Sequence, residues 1–367
     1  MKFICRQEEL FNALSIVSKA LPSKINIPIL AGIKMSVVGD TITLSATSID
    51  LFIETTLKAR ILLEGEVVVD GKSFRDLVGA VSDYEEIEIE CYDSNLNIIY
   101  GENKLNLKTL DLDAFPSLQE NESISNIVVK ERDLKEIIDT TIFCAAVDET
   151  KPILKGCLIE VKDSELIAVA LDGYRLAISK TKLVAAENDI QVIIAARILG
   201  EISKILGESE EKIQINIDKN KVKFIVGNTI IIAKQLEGNF IPYQNIIPTE
   251  SKARVVVSKV ALEKGLSRAH YIARNRNNNY VKLEIDESNI KIKSEAELNS
   301  IDETIPCKLE GEGIVIAFNS KYLLDALGKV KEEFINILIT GSNAPAIIVP
   351  PEGDAYKFIV LPVRLIL

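Results

Sequence analysis

Apolar and small residues return along this chain at two different periods, and the order of those periods repeats three times. Stripes at i, i+4, i+7 and i+11 run through Leu10, Leu14, Val17 and Leu21, then Leu134, Ile138, Thr141 and Ala145, then Leu262, Leu266, Ala269 and Ala273. That spacing places one such residue per turn on a single face, so each stripe predicts an amphipathic helix. The stripes begin 124 and then 128 residues apart, from Leu10 to Leu134 to Leu262. A short apolar strand then runs into a second helix in each copy, in EVVVDGKSFRDLVGAV, QVIIAARILGEISKIL and IVIAFNSKYLLDALGKV. Finally a strand enters a polar turn, in EIEIECYDSNLNIIY, KIQINIDKNKVKFIV and INILITGSNAPAIIV. The turn residues Asp93, Asp218 and Ser342 are 125 and 124 residues apart.

One copy therefore reads as an α+β domain, two helices with antiparallel sheets, and the chain as three tandem copies of it. The expected domains are 1–123, 124–248 and 249–367, with boundaries in the polar, proline-containing stretches 115–126 and 246–253. A repeat of this length is large enough to fold alone, and tandem copies of one domain build a curved array that can close as a ring. Three fused domains without a common purpose remain the alternative on the repeat alone.

Composition narrows the chemistry. Apolar residues make up 47% and charged residues 26%, as in ordinary globular proteins. No apolar run approaches the ~18 residues of a membrane span, and the opening MKFICRQEEL has charges where a secretion signal needs an apolar core. Cys5, Cys91, Cys144, Cys157 and Cys307 are odd in number and scattered, which reads as reduced core thiols in a cytoplasmic protein. The net charge of −11 argues against autonomous, tight nucleic-acid binding. A single histidine, His270, leaves little room for His-based triads or metal sites. GEVVVDGKS has five residues between Gly65 and Gly71 where a phosphate loop needs four, and its Val67-Val68-Val69 is strand sequence. No nucleophile elbow, dinucleotide turn or zinc-protease motif occurs, so no catalytic residue, metal ligand or cofactor is expected.

One turn carries more than a chain reversal needs. In LDGYRLAISK the alternation through Ile167 and Val169 breaks at Asp172-Gly173 and resumes at Leu176, Ala177 and Ile178, a hairpin signal. Beside it stand Tyr174 and Arg175, residue types enriched where proteins grip partners.

That turn, LEGNFIPY at Leu236–Tyr243, the terminal LPVRL at Leu361–Leu365 and the threefold repeat together resemble the bacterial sliding-clamp family, the beta subunit of DNA polymerase III. The resemblance covers the whole chain. It implies a DNA-clamp fold and a head-to-tail homodimer, a six-domain ring around double-stranded DNA that is held without sequence readout. It also implies a peptide pocket formed by Leu154, Leu171, Gly173, Tyr174, Arg175, Leu176, Ile241, Pro242, Ile246, Ile359, Leu361, Pro362, Val363 and Arg364. Its expected occupants are linear motifs of the DNA polymerase III alpha subunit, the clamp-loader delta subunit, and other polymerases and repair proteins, with Arg175 on the polar rim. Lys24, Lys151 and Arg197 are the DNA-facing candidates, and Leu105 and Leu107 are expected to meet Tyr271 and Ile272 of a second copy. No membrane partner and a cytoplasmic location follow. The chain departs from the family pattern in several places. Tyr174 stands where histidine is usual, Phe240-Ile241-Pro242-Tyr243 moves the proline one place along, and Gln244 and Asn245 follow where arginine is common. Leu361 and Val363 replace methionines, and Ile366 and Leu367 extend the tail. A peptide-binding scaffold that does not encircle DNA and an enzyme with an unrecognised site are the competing readings.

Overall fold

In the computed structural model, residues 1–117, 122–148, 151–274 and 279–364 are described. The chain divides into two compact units: 1–132 with 183–188 and 201–235, and 133–182 with 189–200 and 236–367. The first holds a continuous 14-stranded sheet and the second a 12-stranded one, with antiparallel neighbours.

All six expected helices form: α1 (Gln7–Val17), α2 (Gly71–Gly79), α3 (Glu131–Asp139), α4 (Ala196–Ser203), α5 (Lys259–Ala273) and α6 (Ser320–Leu327). In α5 the whole stripe Leu262, Leu266, Ala269 and Ala273 is buried. In the first copy the stripe's Leu21 lies past the end of α1 at Val17; in the second, α3 ends at Asp139, so Thr141 and Ala145 lie beyond it, Ala145 past a 3-10 turn at Ile142–Cys144. The cause in α3 is local. Thr140 and Thr141 turn their hydroxyls back onto the carbonyls of Glu136 and Ile137, both at 2.7 Å, a bond that competes with helix continuation in β-branched residues. The second helix of each copy follows its strand as the sequence implies. Where the N-cap is described it is a side chain: Asp70 accepts from the Ser73 amide at 2.8 Å, and Asn319 from Lys321 at 3.0 Å. Asp93 and Ser94 both have positive φ, as a two-residue hairpin turn requires. Of the five cysteines, Cys5, Cys144 and Cys157 are buried, but Cys91 and Cys307 are only half-buried, so the thiols are not all in the core.

The units do not follow the repeats, because the sheets run across repeat boundaries. In the first unit, strand Leu51–Lys58 of the first copy pairs with Thr229–Lys234 of the second, Phe52 opposite Ile232. Ile53 and Ile231 face each other there at 0% exposure, and the Thr55 and Thr229 hydroxyls are hydrogen-bonded at 2.8 Å. In the second unit, Arg175–Lys182 of the second copy pairs with Tyr356–Val360 of the third, Leu176 opposite Ile359. Ala177 and Phe358, the pair equivalent to Ile53 and Ile231, are equally buried.

Two strands at equivalent places lack such a partner. Asn103–Leu110 pairs with Asn95–Tyr100 along residues 103–108, and only Thr109 and Leu110 reach the strand Gly65–Asp70. Ser300–Gly311 pairs with Asn289–Glu295 along residues 300–306, then crosses to Ala253–Ser258. Among the described residues, no strand covers the other edge of 103–108 or of 300–306.

Candidate peptide-binding site

The turn between strands Glu165–Leu171 and Arg175–Lys182 is built by Asp172. Its carboxylate accepts from the amides of Tyr174 at 2.9 Å and Arg175 at 3.0 Å, an Asx-type turn. Gly173 takes φ +96°, where a Cβ would be strained. Leu171 and Leu176 are therefore set opposite each other across the hairpin, with their side chains in the core.

Around that hairpin, Leu154, Leu171, Leu176 and Ile359 join one buried cluster together with Tyr243, and Ile241 packs against it. The tail continues the same wall. The Leu361 amide donates to the Tyr174 carbonyl at 2.9 Å and the Val363 amide to the Ala317 carbonyl at 2.8 Å. Pro362 and Val363 are half-buried, Arg364 is exposed, and Leu361 is 37% exposed. Pro242 and Ile246, the latter also 37% exposed, flank Tyr243 at the 3-10 turn Tyr243–Ile246. All the expected pocket residues thus belong to the second unit. Leu365, Ile366 and Leu367 lie outside the described residues.

Arg175 is placed differently from a rim residue. Its guanidinium bridges Asp172 at 3.0 Å and Asp325 on α6 at 2.6 Å, and its side chain is only 11% exposed. It also lies over the Tyr322 ring at 4.6 Å and near the Phe143 ring at 5.6 Å. Burial opposes its charge, but the hydrogen bond to Asp325 and the charges nearby hold its pKa above the ordinary arginine value. Tyr174 is 62% exposed and stacks on Tyr322 with ring centroids 6.2 Å apart. The solvent-facing aromatic surface of the site is therefore a Tyr174–Tyr322 pair, braced from below by Arg175. Sequence reasoning missed Tyr322, Asp325 and Phe143 as members of this site. Spacing along the chain does not link Asp325 to Arg175, because the two lie 150 residues apart.

The remaining candidates are surface residues. Lys24, Lys151 and Arg197 are all exposed, Lys24 in the first unit and the other two in the second. Leu105 and Leu107 are half-buried and alternate with exposed Lys104, Asn106 and Lys108. In the second unit, Ile272 is half-buried and Tyr271 is 60% exposed beneath the Arg274 guanidinium at 4.7 Å. No helix among the described residues is long and apolar enough to cross a membrane.

Three family models match in chain order. They describe the N-terminal domain of the DNA polymerase III beta subunit at residues 1–119, its central domain at 128–242 and its C-terminal domain at 244–364. The chain is 32% identical to the beta sliding clamp of Bacillus subtilis (strain 168), over 99% of this chain and 100% of that one. It is 28% identical to the beta sliding clamp of Synechococcus elongatus over the full length of both. The crystal structure of the DNA polymerase sliding clamp from Bacillus subtilis matches with TM-score 0.94 at 32% identity, covering 100% of this chain and 99% of that one. That of the DNA polymerase III beta subunit from Thermotoga maritima matches with TM-score 0.93 at 29% identity, covering 99% of each.

Proposed function

Because the chain belongs to the DNA polymerase III beta-subunit family, the non-enzymatic DNA sliding clamps, we propose that two copies close head to tail into a six-domain ring around double-stranded DNA. The three domains are 1–123, 124–248 and 249–367. The observation that carries this reading is the pair of uncovered edges at 103–108 and 300–306.

Repeat equivalence supplies the register. Phe52, Leu176 and Ser300 are each the first residue paired after matching hairpin turns, opposite Thr47, Leu171 and Glu295. Phe52 and Leu176 meet Ile232 and Ile359 of the following copy. Thr229 and Asn103 likewise open matching strands, opposite Val226 and Tyr100, so Asn106 holds the place of Ile232. The closing contact therefore sets Ser300 against Asn106, Ile301 against Leu105 and Asp302 against Lys104. This is the third instance of a joint made twice inside the chain, here between the edges of two copies. Leu105 and Ile301 are half-buried, whereas their equivalents at both internal joints are fully buried, as expected of residues awaiting a partner. Tyr271 and Ile272 pack beside Leu105 and Leu107 in the same joint.

The site around Tyr174 receives short linear motifs from the DNA polymerase III alpha subunit, from the clamp-loader delta subunit and from other polymerases and repair proteins. Aliphatic walls take the apolar anchors, and the tyrosine pair offers an aromatic rim. Tethering makes each polymerase rebinding intramolecular at high effective concentration, which is processivity. Lys24, Lys151 and Arg197 touch phosphates without reading bases, in the cytoplasm where the chromosome lies.

Retention on DNA tests the reading. After loading by the cognate loader, the protein should leave linear duplex quickly and stay on nicked circles at salt that abolishes ordinary phosphate contacts. Equal loss from both substrates at the same salt would leave the non-encircling scaffold as the better account, and nucleotide turnover by a monomer would favour the enzyme.

A further inference from the structure

Below the pocket lies a buried acid that no part of this scheme uses. Glu160, in strand Gly156–Lys162, is 6% exposed. One carboxylate oxygen accepts from the side-chain amide (Nε2) of its cross-strand neighbour Gln191 at 2.6 Å. The other accepts from the Tyr243 hydroxyl at 2.7 Å. Tyr243 is itself 7% exposed and shares the apolar cluster of Leu154, Leu171, Leu176 and Ile359. Its phenol pKa is raised far above the usual value by burial and by the acid it donates to.

A buried carboxylate costs desolvation and adds little net stability even when paired, so an apolar residue in its place serves a plain core as well. What the acid supplies is direction. Gln191 holds the carboxylate on one side, so the other oxygen has a fixed position, and Tyr243 must reach it. Tyr243 opens the 3-10 turn that carries Ile246 and directly follows Ile241 and Pro242. Phe240, Ile241 and Ile247 rest on the core by non-directional apolar contact, residues 242, 244, 245 and 246 are exposed, and the described backbone hydrogen bond is local, Asn245 to Pro242 at 3.2 Å, so the Tyr243 hydroxyl gives this stretch its directional anchor to the core.

We infer that Glu160 is a positioning residue for the peptide pocket: by holding the Tyr243 hydroxyl it sets the Ile241–Ile246 wall against the hairpin that carries Leu171 and Leu176. The inference rests on the peptide-site reading above. Neither Glu160 nor Gln191 touches the occupant; they act through Tyr243.

The test uses the full-length protein, calorimetry with a synthetic peptide of the Gln-x-x-Leu-Phe type that the family resemblance implies, and amide hydrogen exchange. Tyr243→Phe keeps the ring and removes the hydroxyl. It should weaken the peptide at least fivefold and speed exchange across 241–247 while exchange across strands 165–171 and 175–182 stays unchanged. Glu160→Gln keeps an oxygen that accepts from Tyr243 and should bind within twofold of wild type. Glu160→Leu should match Tyr243→Phe, and the Glu160→Leu, Tyr243→Phe double variant should be no worse than either, because both remove one interaction. Wild-type affinity and exchange in Tyr243→Phe would overturn the inference. So would faster exchange spread over the two hairpin strands, since that marks a general stabilising role. If the wild-type protein itself fails to bind the peptide, the pocket reading fails, and the exchange pattern alone decides whether Glu160 positions the wall.

Discussion

Leu105→Asp puts the proposed ring closure under the most direct strain. In the single chain Leu105 is half-buried, on the face of strand Asn103–Leu110 that also carries Leu107. Its equivalents at the two internal joints are Ile231 and Phe358, at 0% and 1% exposure. If the subunit joint copies those two, Leu105 becomes fully buried opposite Ile301 on closure and stays accessible in the monomer. An aspartate there is solvated in the monomer and buried without a partner in the dimer. Uncompensated burial of a charge costs about 3 to 5 kcal/mol. At ~1.4 kcal/mol per factor of ten, the dimer dissociation constant should rise by about two to four powers of ten. The monomer fold should survive, because the substitution meets water there.

Sedimentation velocity over a wide concentration series reads this directly. Wild type should remain dimeric down to dilutions at which Leu105→Asp is a folded monomer with unchanged circular dichroism. A useful companion is the charge swap at the next rung: Lys104→Glu and Asp302→Lys should each weaken the dimer slightly, and together restore it. The effect is small because both side chains are more than half exposed, at 52% and 62%, and each already has an intrachain partner, Glu90 and Lys293. A Leu105→Asp protein that dimerises as tightly as wild type would refute the joint. Swaps that never compensate would refute its register while leaving the joint standing.

Three further outcomes follow from the same structure. Ile272→Asp on α5 should also give folded monomers, and a dimer of unchanged mass would remove Ile272 from the interface. Leu361→Ala combined with Val363→Ala should weaken a Gln-x-x-Leu-Phe peptide at least tenfold by calorimetry, ~1.4 kcal/mol, with the dimer intact; unchanged affinity would mean the LDGYRLA turn only reverses the chain. Burial pushes the thiols of Cys5 and Cys157 up to about 12 and that of Cys144 higher still, while Cys91 and Cys307 are half-buried. Since the thiolate is the nucleophile, iodoacetamide at pH 8 should label Cys91 and Cys307 first, and native labelling of Cys144 at the rate of Cys91 would contradict the packing.

How much of this was legible in the sequence depended on the range of the interaction. Helix stripes and two-residue turns are local, so the three α+β copies, the Asp172-Gly173 hairpin and all six helices could be read from spacing alone. Leu154, Leu171, Leu176 and Ile359 could be grouped only by resemblance, and the core then holds them together. The early end of α3 was missed because the apolar period continues past the point where two threonine hydroxyls capture helix carbonyls. Arg175 read as a rim cation because its partner Asp325 sits a repeat away, and a periodicity carries no information about such a pair. The strand pairings across repeats were equally hidden. Alternation predicts a strand and its buried face, but it says nothing about which edge the strand will choose.

The cations on the helices bear on why closure, rather than charge, has to do the holding. Lys204 is paired with Glu201 at 2.8 Å, Lys259 with Glu263 at 2.6 Å and Lys321 with Asp325 at 3.7 Å, while Arg268 pairs with Glu303. A lysine already facing a carboxylate gives a phosphate little extra attraction, and the chain as a whole carries −11. Each phosphate neutralised would steepen the salt dependence by about one unit of log slope, and many strong contacts would bind a sliding protein to each position in turn. Weak, interchangeable contacts leave the energy nearly level along the duplex. They also leave almost nothing to hold the protein there once the ring is open. If the proposed joint between 103–108 and 300–306 closes the ring, lifetime on DNA reduces to the lifetime of that joint, and the uncovered edges set how long the polymerase stays tethered.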